Sequence, residues 1–283
     1  MHLYVISVIA ERLALAGISQ NRWLADAQFS LSELTETQFL TAQQVNRLAL
    51  SAIKLAGDTH FGVNVGMRLK MLSLGMFGYA LMTSSSVGDV LNLLLRYNRA
   101  LMPSIDIALV STEAGIELRC KIGSLATDLE SLYADLLYSS LYANLHILAP
   151  SCLHSVTLDL CYTAPDNATL HRSVFGDSVR FNATNYGMVF SRDSLAIGIS
   201  SSNPVAQDIF RRHCDRILSN DVQTGIVSER VKCELMADRS NFPSSATIAE
   251  RLHISESTLQ RRLAREGNKF QPLLDQVRYR LAL

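Results

Sequence analysis

The residues best suited to chemistry lie in one basic segment near the end of the chain. Its sequence is ATIAERLHISESTLQRRLAREG, residues 246–267, and it combines arginine, glutamine and hydroxyl side chains at close spacing. In the major groove of DNA, arginine pairs with guanine O6 and N7, and glutamine pairs with adenine N6 and N7. Such side chains on one face of a helix predict a segment that reads bases.

Helical spacing predicts how this segment presents its polar side chains. Ser244 and Ser255 are suited to cap two short helices, and His253 would form the turn between them. Leu259 and Leu263 share one face at 100° per residue, opposite the polar residues. The residues predicted to contact DNA, on a recognition helix over 255–266, are Ser255, Ser257, Thr258, Gln260, Arg261, Arg262 and Arg265. The alternative is an ordinary helical hairpin with a solvated basic face.

Apolar residues at helical spacing lie behind the polar face. Ile248, Ala249 and Leu252 are expected to face inward on the first helix, and Ile254 is expected to pack beneath the turn. A third, longer helix, packing against the two before it, is predicted from a stripe with i, i+3, i+4, i+7 and i+11 spacing. The stripe consists of Phe270, Leu273, Leu274, Val277 and Leu281.

Composition places this segment on a larger folded protein. The chain has 283 residues, of which 48% are hydrophobic and 18% charged, which suits two globular domains rather than disorder. The net charge of the chain is zero. From Arg239 to the end, however, the sequence contains eight basic and four acidic residues, a surplus of about four positive charges. A basic tail on an acidic body is typical of a nucleic-acid module joined to another domain.

Catalytic and metal-binding patterns are weak or absent in the sequence. No GxGxxG, P-loop, GxSxG or HExxH motif occurs, so the sequence predicts neither an enzyme nor a bound cofactor. Cys152 and His154 would share one face of a strand near Cys161, but no further ligand for a metal can be placed. His60 is expected to have a surface or capping role. Four cations could hold an acidic effector or could simply lie on solvated helix faces: Arg68, Lys70, Arg96 and Arg99.

The cysteines and the apolar stretches bear on the compartment. Five widely spaced cysteines without a CxxC pair predict reduced, mostly buried thiols in a cytoplasmic protein. They are Cys120, Cys152, Cys161, Cys214 and Cys233. The first residues carry no basic leader, so a signal peptide is not expected. The uncharged stretches 71–88 and 136–158 are interpreted as buried elements rather than membrane spans.

The first two hundred residues predict a mixture of helices and strands. Helices are predicted over 4–16, 41–56 and 128–148, and two more over 73–102 around a serine-rich turn. Strands are predicted over 105–110 and 116–122 as a pair joined by the turn STEAG, over 152–162, and twice within 178–191.

A helix is expected to begin the connection to the second domain. Asn203 is a suitable N-cap and Pro204 a suitable first residue. The stretch SNDVQ, residues 219–223, is expected to interrupt this helix. Another helix should follow, with Val222, Ile226, Val231 and Leu235 along it.

Residues 250–283, ERLHISESTLQRRLAREGNKFQPLLDQVRYRLAL, resemble the AraC/XylS family of bacterial transcription regulators. The resemblance lies in the first helix-turn-helix and the start of the long linker helix. Residues 55–101 and 174–196 resemble the arabinose-binding type of N-terminal sensing domain, without an obvious cupin pattern. The similarity extends over nearly the whole chain.

This resemblance implies an α+β domain that senses a small molecule and dimerises, followed by an all-α helix-turn-helix domain. The family has two helix-turn-helix units, whereas this sequence contains one and the start of the linker helix. Part of the apolar stripe is therefore expected to be uncovered, and residues 270–283 are expected to be poorly anchored or held by a neighbouring surface. By position, Ser257, Gln260 and Arg261 match base-reading sites of the family. The predicted domains are 1–202 for sensing and dimerisation, 203–221 as the connection, and 222–283 as the partial helix-turn-helix domain.

The predicted function is therefore a cytoplasmic, ligand-responsive bacterial transcription regulator. Its predicted partners are double-stranded DNA, an unknown small-molecule effector and a second copy of the chain, and no membrane partner is expected. The alternative is a sensing and dimerisation module with little DNA binding of its own.

Overall fold

The computed structural model describes residues 3–31, 40, 42–102, 104–122, 127–165, 168–224, 227–228, 231, 234–235, 242–252, 254–265 and 268–281. The chain divides into two compact units, Met1–Cys214 and Asp215–Leu283. Within the described residues, no helix combines the length and the apolar character needed to cross a bilayer.

The first unit is α+β. Its helices are α1 (Leu3–Leu15), α2 (Gln20–Asp26), α3 (Ala42–Ala56), α4 (Phe61–Gly66), α5 (Met76–Met82), α6 (Val87–Leu101), α7 (Thr127–Leu148) and α8 (Thr169–Phe175). Its strands are β1 (Ile105–Ser111), β2 (Ile116–Ile122), β3 (Thr157–Asp159), β4 (Val179–Arg180) and β5 (Tyr186–Phe190). Helix α9 (Pro204–Thr224) begins in this unit.

Local signals set the helix ends, and the predicted helices of this unit form within a few residues of their expected bounds. Gly17 and Gly57 follow α1 and α3 with φ of +77° and +56°, the left-handed conformation that glycine adopts without a Cβ penalty. The Ser86 hydroxyl accepts a hydrogen bond from the Asp89 amide at 3.2 Å and caps α6.

The strands form one sheet in the order β1-β2-β5-β3-β4. Strands β1 and β2 are an antiparallel pair in which Ile105 lies opposite Ile122 and Ser111 opposite Ile116, as the sequence predicted for this hairpin. Strand β5 is buried along its whole length, so it forms the centre of the sheet. The pair of strands predicted within 178–191 is confirmed as β4 and β5.

The prediction of a strand through most of 152–162 is wrong, because only Thr157–Asp159 forms β3. Pro150 instead opens a 3₁₀ turn over Pro150–Leu153, closed by a hydrogen bond of 3.0 Å from the Cys152 amide to the Ala149 carbonyl. Cys152 and His154 therefore do not share the face of a strand.

Helix α9 begins as predicted, since the Asn203 side chain accepts a hydrogen bond from the Ala206 amide at 3.0 Å. The expected interruption at 219–223 is wrong, because the helix continues to Thr224. That stretch contains neither glycine nor proline, so nothing in it forces the backbone out of the helix. Ile226, predicted for a following helix, lies outside the described residues.

Four of the five cysteines lie in the described residues, and all four are free thiols. Cys120, Cys152 and Cys214 are buried and Cys161 is half-buried, which confirms the prediction for these four. Burial raises the pKa of Cys120 to about 12 and the pKa of Cys152 to about 11. These thiols are therefore protonated at neutral pH and poorly reactive. Cys233 lies outside the described residues.

Helices α4 and α7 approach each other backbone to backbone at Gly62 and Gly66. A Cβ atom on Gly62 would lie 2.9 Å from the Leu132 carbonyl oxygen, and one on Gly66 would lie 2.8 Å from the Leu136 carbonyl oxygen. The Gly66 Cβ would also collide with the Ser139 hydroxyl. These distances are shorter than real Cβ contacts, so only glycine permits this approach.

A buried polar cluster lies beside this contact. The Tyr162 hydroxyl donates to Asp135 and lies 2.9 Å from Nε2 of His171, which is fully buried. Burial and the nearby carboxylate of Asp135 raise the pKa of Tyr162, so its hydroxyl stays protonated and remains a donor. His60 packs its ring against His171, with the centroids 5.4 Å apart. The sequence predicts a surface or capping role for His60. It occupies the N-cap position of α4 and is half-buried, but its side chain makes no capping hydrogen bond, so the capping alternative is wrong.

We expect Gly66→Ala to destabilise the first unit by about 2 kcal/mol, because the overpacking penalty exceeds the gain in helix propensity. Chemical denaturation followed through Trp23, which is fully buried in this unit, measures the effect. Gly198→Ala is the control, because Gly198 is exposed and its Cβ would meet no atom closer than 3.8 Å. Equal stability of the two variants would contradict the close-packing argument.

Candidate nucleic-acid interface

The second unit contains three described helices, α10 (Ser245–Arg251), α11 (Glu256–Arg265) and α12 (Phe270–Leu281). Serine caps begin the first two, as the sequence predicted. The Ser244 hydroxyl accepts from the Thr247 amide at 3.2 Å, and the Ser255 hydroxyl accepts from the Thr258 amide at 3.2 Å. His253, the predicted turn residue, lies outside the described residues.

One apolar cluster holds these helices together. Ile248 and Ala249 of α10 and Leu259 and Leu263 of α11 are each at most 1% exposed, which confirms their predicted inward orientation. Ile254 packs partly buried against the same cluster. The other buried members are Val227, Val231, Leu235, Leu252, Phe270, Leu273, Leu274 and Val277. The position of α11 therefore depends on side chains opposite its polar face.

The predicted packing of α12 against the preceding helices is confirmed, and the expectation that part of its stripe is uncovered is wrong for the residues that can be described. Leu273, Leu274 and Val277 are 1%, 7% and 1% exposed and belong to the apolar cluster. They are buried because α10 and α11 each contribute apolar side chains to the same cluster. These three side chains are therefore removed from water by other helices of the same unit. The side chain of Leu281 is not among those described.

The opposite side of α11 is open to solvent. Ser255, Ser257, Gln260 and Arg261 are exposed, and Ala264 is exposed beside them. Thr258 and Arg262 are half-buried at the edges of this face. Six of the seven residues predicted to contact DNA thus lie on or beside one exposed face. Arg265 belongs to α11, but its side chain is not among those described.

Charge is unevenly distributed along α11. Glu256 lies in the first turn, where a carboxylate is favoured by the helix dipole, and it accepts a hydrogen bond from the Ser245 hydroxyl of α10. This link between the two helix starts was not predicted from the sequence. Three arginines, Arg261, Arg262 and Arg265, follow in the second half of the helix. A helix with small hydroxyl side chains near its start and cations beyond can contact both base edges and phosphates.

The other candidate ligands from the sequence do not converge. Within the described residues, no group of three His, Cys, Asp or Glu side chains is placed to share a metal ion. Lys70 and Arg96 are exposed, and the Arg96 guanidinium lies 6.0 Å from the centre of the Tyr97 ring. No cluster of cations for an acidic effector is therefore apparent among the described side chains, which do not include that of Arg99.

Comparison with known proteins assigns the family. Residues 17–198 match the N-terminal arabinose-binding domain of AraC transcription regulators. The chain belongs to this family of AraC transcription regulators. It is accordingly a transcription regulator and not an enzyme.

Several relatives carry names of the same kind. The ornithine utilization regulator of Pseudomonas aeruginosa is 30% identical over 240 residues, which cover 84% of this chain and 70% of that protein. An uncharacterized HTH-type transcriptional regulator of Mycobacterium tuberculosis, Rv1395, is 21% identical over 99% of this chain and 83% of its own length. The crystal structure of the transcriptional regulator CdpR from Pseudomonas aeruginosa aligns with a TM-score of 0.49 at 20% identity, over 93% of this chain and 82% of that one.

We expect Leu259→Ala to destabilise the second unit by about 2–5 kcal/mol, since it leaves a cavity in a fully buried site. The neighbouring substitution Gln260→Ala should change stability by about 0.5 kcal/mol or less, because Gln260 is exposed. Hydrogen exchange of peptides within 242–281 reports the opening of this unit. Similar protection in the two variants would contradict the orientation of α11.

Proposed function

We propose that the chain is a ligand-responsive bacterial regulator that binds promoter DNA through α11. The first unit would sense a small molecule and dimerise, and residues 222–283 would form the helix-turn-helix module. The observation that carries the proposal is the division of α11 into two faces. Leu259 and Leu263 are fully buried, while Gln260 and Arg261 are exposed on the helix between them.

The exposed side chains suit different parts of a DNA duplex. Arg261 and Gln260 have the donors and acceptors that pair with guanine and adenine in the major groove. Ser255, Ser257 and Thr258 lie at the helix start, where hydroxyls and backbone amides commonly contact phosphates. Arg262 and Arg265 would add phosphate contacts and a dependence on salt.

Dimerisation is proposed on a separate observation. Val205 and Ile209, one turn apart on α9, are 72% and 59% exposed. A second copy of the chain would remove this apolar surface from water. Two copies would also supply two DNA-binding helices for a two-fold symmetric site.

We expect Arg261→Ala to weaken binding to a duplex selected from a random pool by the 283-residue chain. The loss should be about 5-fold to 150-fold, corresponding to a lost contact of about 1–3 kcal/mol. The base preference at one position should relax at the same time. Fluorescence anisotropy with the labelled duplex in physiological salt measures both effects. Arg172→Ala, which removes an exposed arginine from α8 in the first unit, is the charge-matched control and should bind as the wild type does.

Unchanged affinity and base preference in Arg261→Ala would exclude Arg261 as a base reader. Failure of the wild-type chain to enrich any sequence from the pool would instead favour the alternative, a sensing and dimerisation module with little DNA binding of its own.

We expect the wild-type chain to sediment as a dimer at tens of micromolar and Ile209→Arg to sediment as a monomer, because a buried unpaired cation opposes association. Leu15→Arg is the control, since Leu15 is 66% exposed but lies on α1. A monomeric wild type, or a dimer unaffected by Ile209→Arg, would contradict the role assigned to this surface of α9.

A further inference from the structure

A cavity in the first unit has an unusually apolar lining. Its volume is about 660 Å³ when the open solvent at its mouth is included. Eleven of the fourteen described residues that line it are aliphatic or methionine, and the other three are Asn98, Ser140 and Asn144. No ionisable residue is among the fourteen.

The polar side chains of the lining are already engaged in holding the walls together. Asn144 accepts from the Met71 amide at 2.9 Å and donates to the Leu69 carbonyl at 2.8 Å. The Asn98 amide group donates to the Ile105 carbonyl, and the Ser140 hydroxyl donates to the carbonyl of Leu137 at 3.0 Å. Few donors remain for a ligand, whereas the Ser140 oxygen, on a half-buried residue, can still accept a hydrogen bond.

Several apolar lining residues are only partly covered by the protein. Leu94 and Leu101 of α6 and Ile107 of β1 are half-buried although they belong to the wall of the cavity. Apolar surface of this kind gains free energy when a ligand removes it from water. A bound molecule with a hydrocarbon body would therefore complete the packing between α6, α7 and the edge strand β1.

The same lining disfavours polar ligands. A carboxylate or an ammonium group would lose its hydration without finding an opposite charge. A sugar would bury several hydroxyl groups, and each one without a partner weakens binding. The lining therefore selects against sugars, amino acids and organic acids.

We propose that this cavity is the effector site of the regulator and that it binds an uncharged, predominantly apolar molecule carrying a single hydrogen-bonding group, of the class of medium-chain alcohols. This inference rests on the proposed function, because it assumes that the first unit senses a ligand. It goes further by assigning the site and the chemical class of the ligand.

Binding is measured with N-phenyl-1-naphthylamine, an uncharged probe whose fluorescence rises in an apolar site, added to the 283-residue chain. We expect 1-decanol to displace the probe at concentrations about tenfold or more below those of decanoate, which has the same chain length with a charge. L-arabinose and L-ornithine should not displace it. Displacement by decanoate or arabinose as effective as that by decanol would overturn the assigned class.

Ser140→Leu tests the location, because it fills the cavity from α7 at the loss of one hydroxyl bond within the helix. Probe binding should weaken about tenfold or more in Ser140→Leu, whereas Ser140→Ala, which adds no bulk and removes only one hydrogen-bond acceptor, should weaken it by less. Unchanged binding in a Ser140→Leu variant that melts cooperatively would overturn the location.

Leu94→Lys is a second test of the location, and its readout is the ligand preference rather than a loss of binding. A cation in the wall of the cavity should reverse the preference from decanol to decanoate.

DNA binding by the same preparations separates this inference from the proposed function. Decanol should change the affinity for the selected duplex in the wild type and not in Ser140→Leu. Probe displacement without an effect on DNA affinity would overturn the effector role of the cavity. Absent probe binding with intact DNA binding would overturn the cavity alone, whereas absent DNA binding with intact probe binding would overturn the proposed function and leave the ligand site standing.

Discussion

Two glycines one turn apart allow α4 to lie against the backbone of α7. At Gly62 and Gly66 the space for a Cβ is taken by the carbonyl oxygens of Leu132 and Leu136, themselves one turn apart. A helix held this closely cannot slide or rotate without a steric clash, because protein interiors are close-packed. The contact thereby fixes which side chains of α7 face the sheet, the polar cluster and the cavity.

Three polar side chains on the remaining faces of α7 form hydrogen bonds to other segments of the first unit. Tyr138 donates to the Leu118 carbonyl of β2 at 3.1 Å, and its burial raises its pKa so that the donor is retained. Asp135 accepts from Tyr162 in the buried cluster. Asn144 ties the helix to the backbone at Leu69 and Met71. Polar groups thus connect α7 to distant segments, while Leu137 and Leu141 leave an apolar wall for the cavity.

Features encoded within a few residues could be predicted from the sequence, whereas features made by distant segments could not. Ser244 and Ser255 act as caps because their partners lie three residues away. The contact between Asp135 and Tyr162 joins residues 27 positions apart, and the Asn144 bond to Leu69 spans 75. Neither pairing leaves a local pattern in the sequence.

The same reason explains the wrong expectation for Leu273, since the residues that cover it belong to other helices. On α11, the helical period of about 3.6 residues per turn correctly predicted that Leu259 is buried and Arg261 exposed. It did not predict the hydrogen bond between Glu256 and Ser245.

The construction of α11 separates the side chains that stabilise it from the side chains that it exposes. Its free energy of folding comes from Leu259 and Leu263, which are removed from water, and from the Ser255 cap. Gln260 and Arg261 are exposed, so substitutions there change the groups offered to a ligand without opening the apolar cluster. Thr258 and Arg262 lie at the boundary and are half-buried, so they take part in both. Under the proposed function, sequence changes at the exposed positions would therefore alter which bases are read while the helix keeps its place.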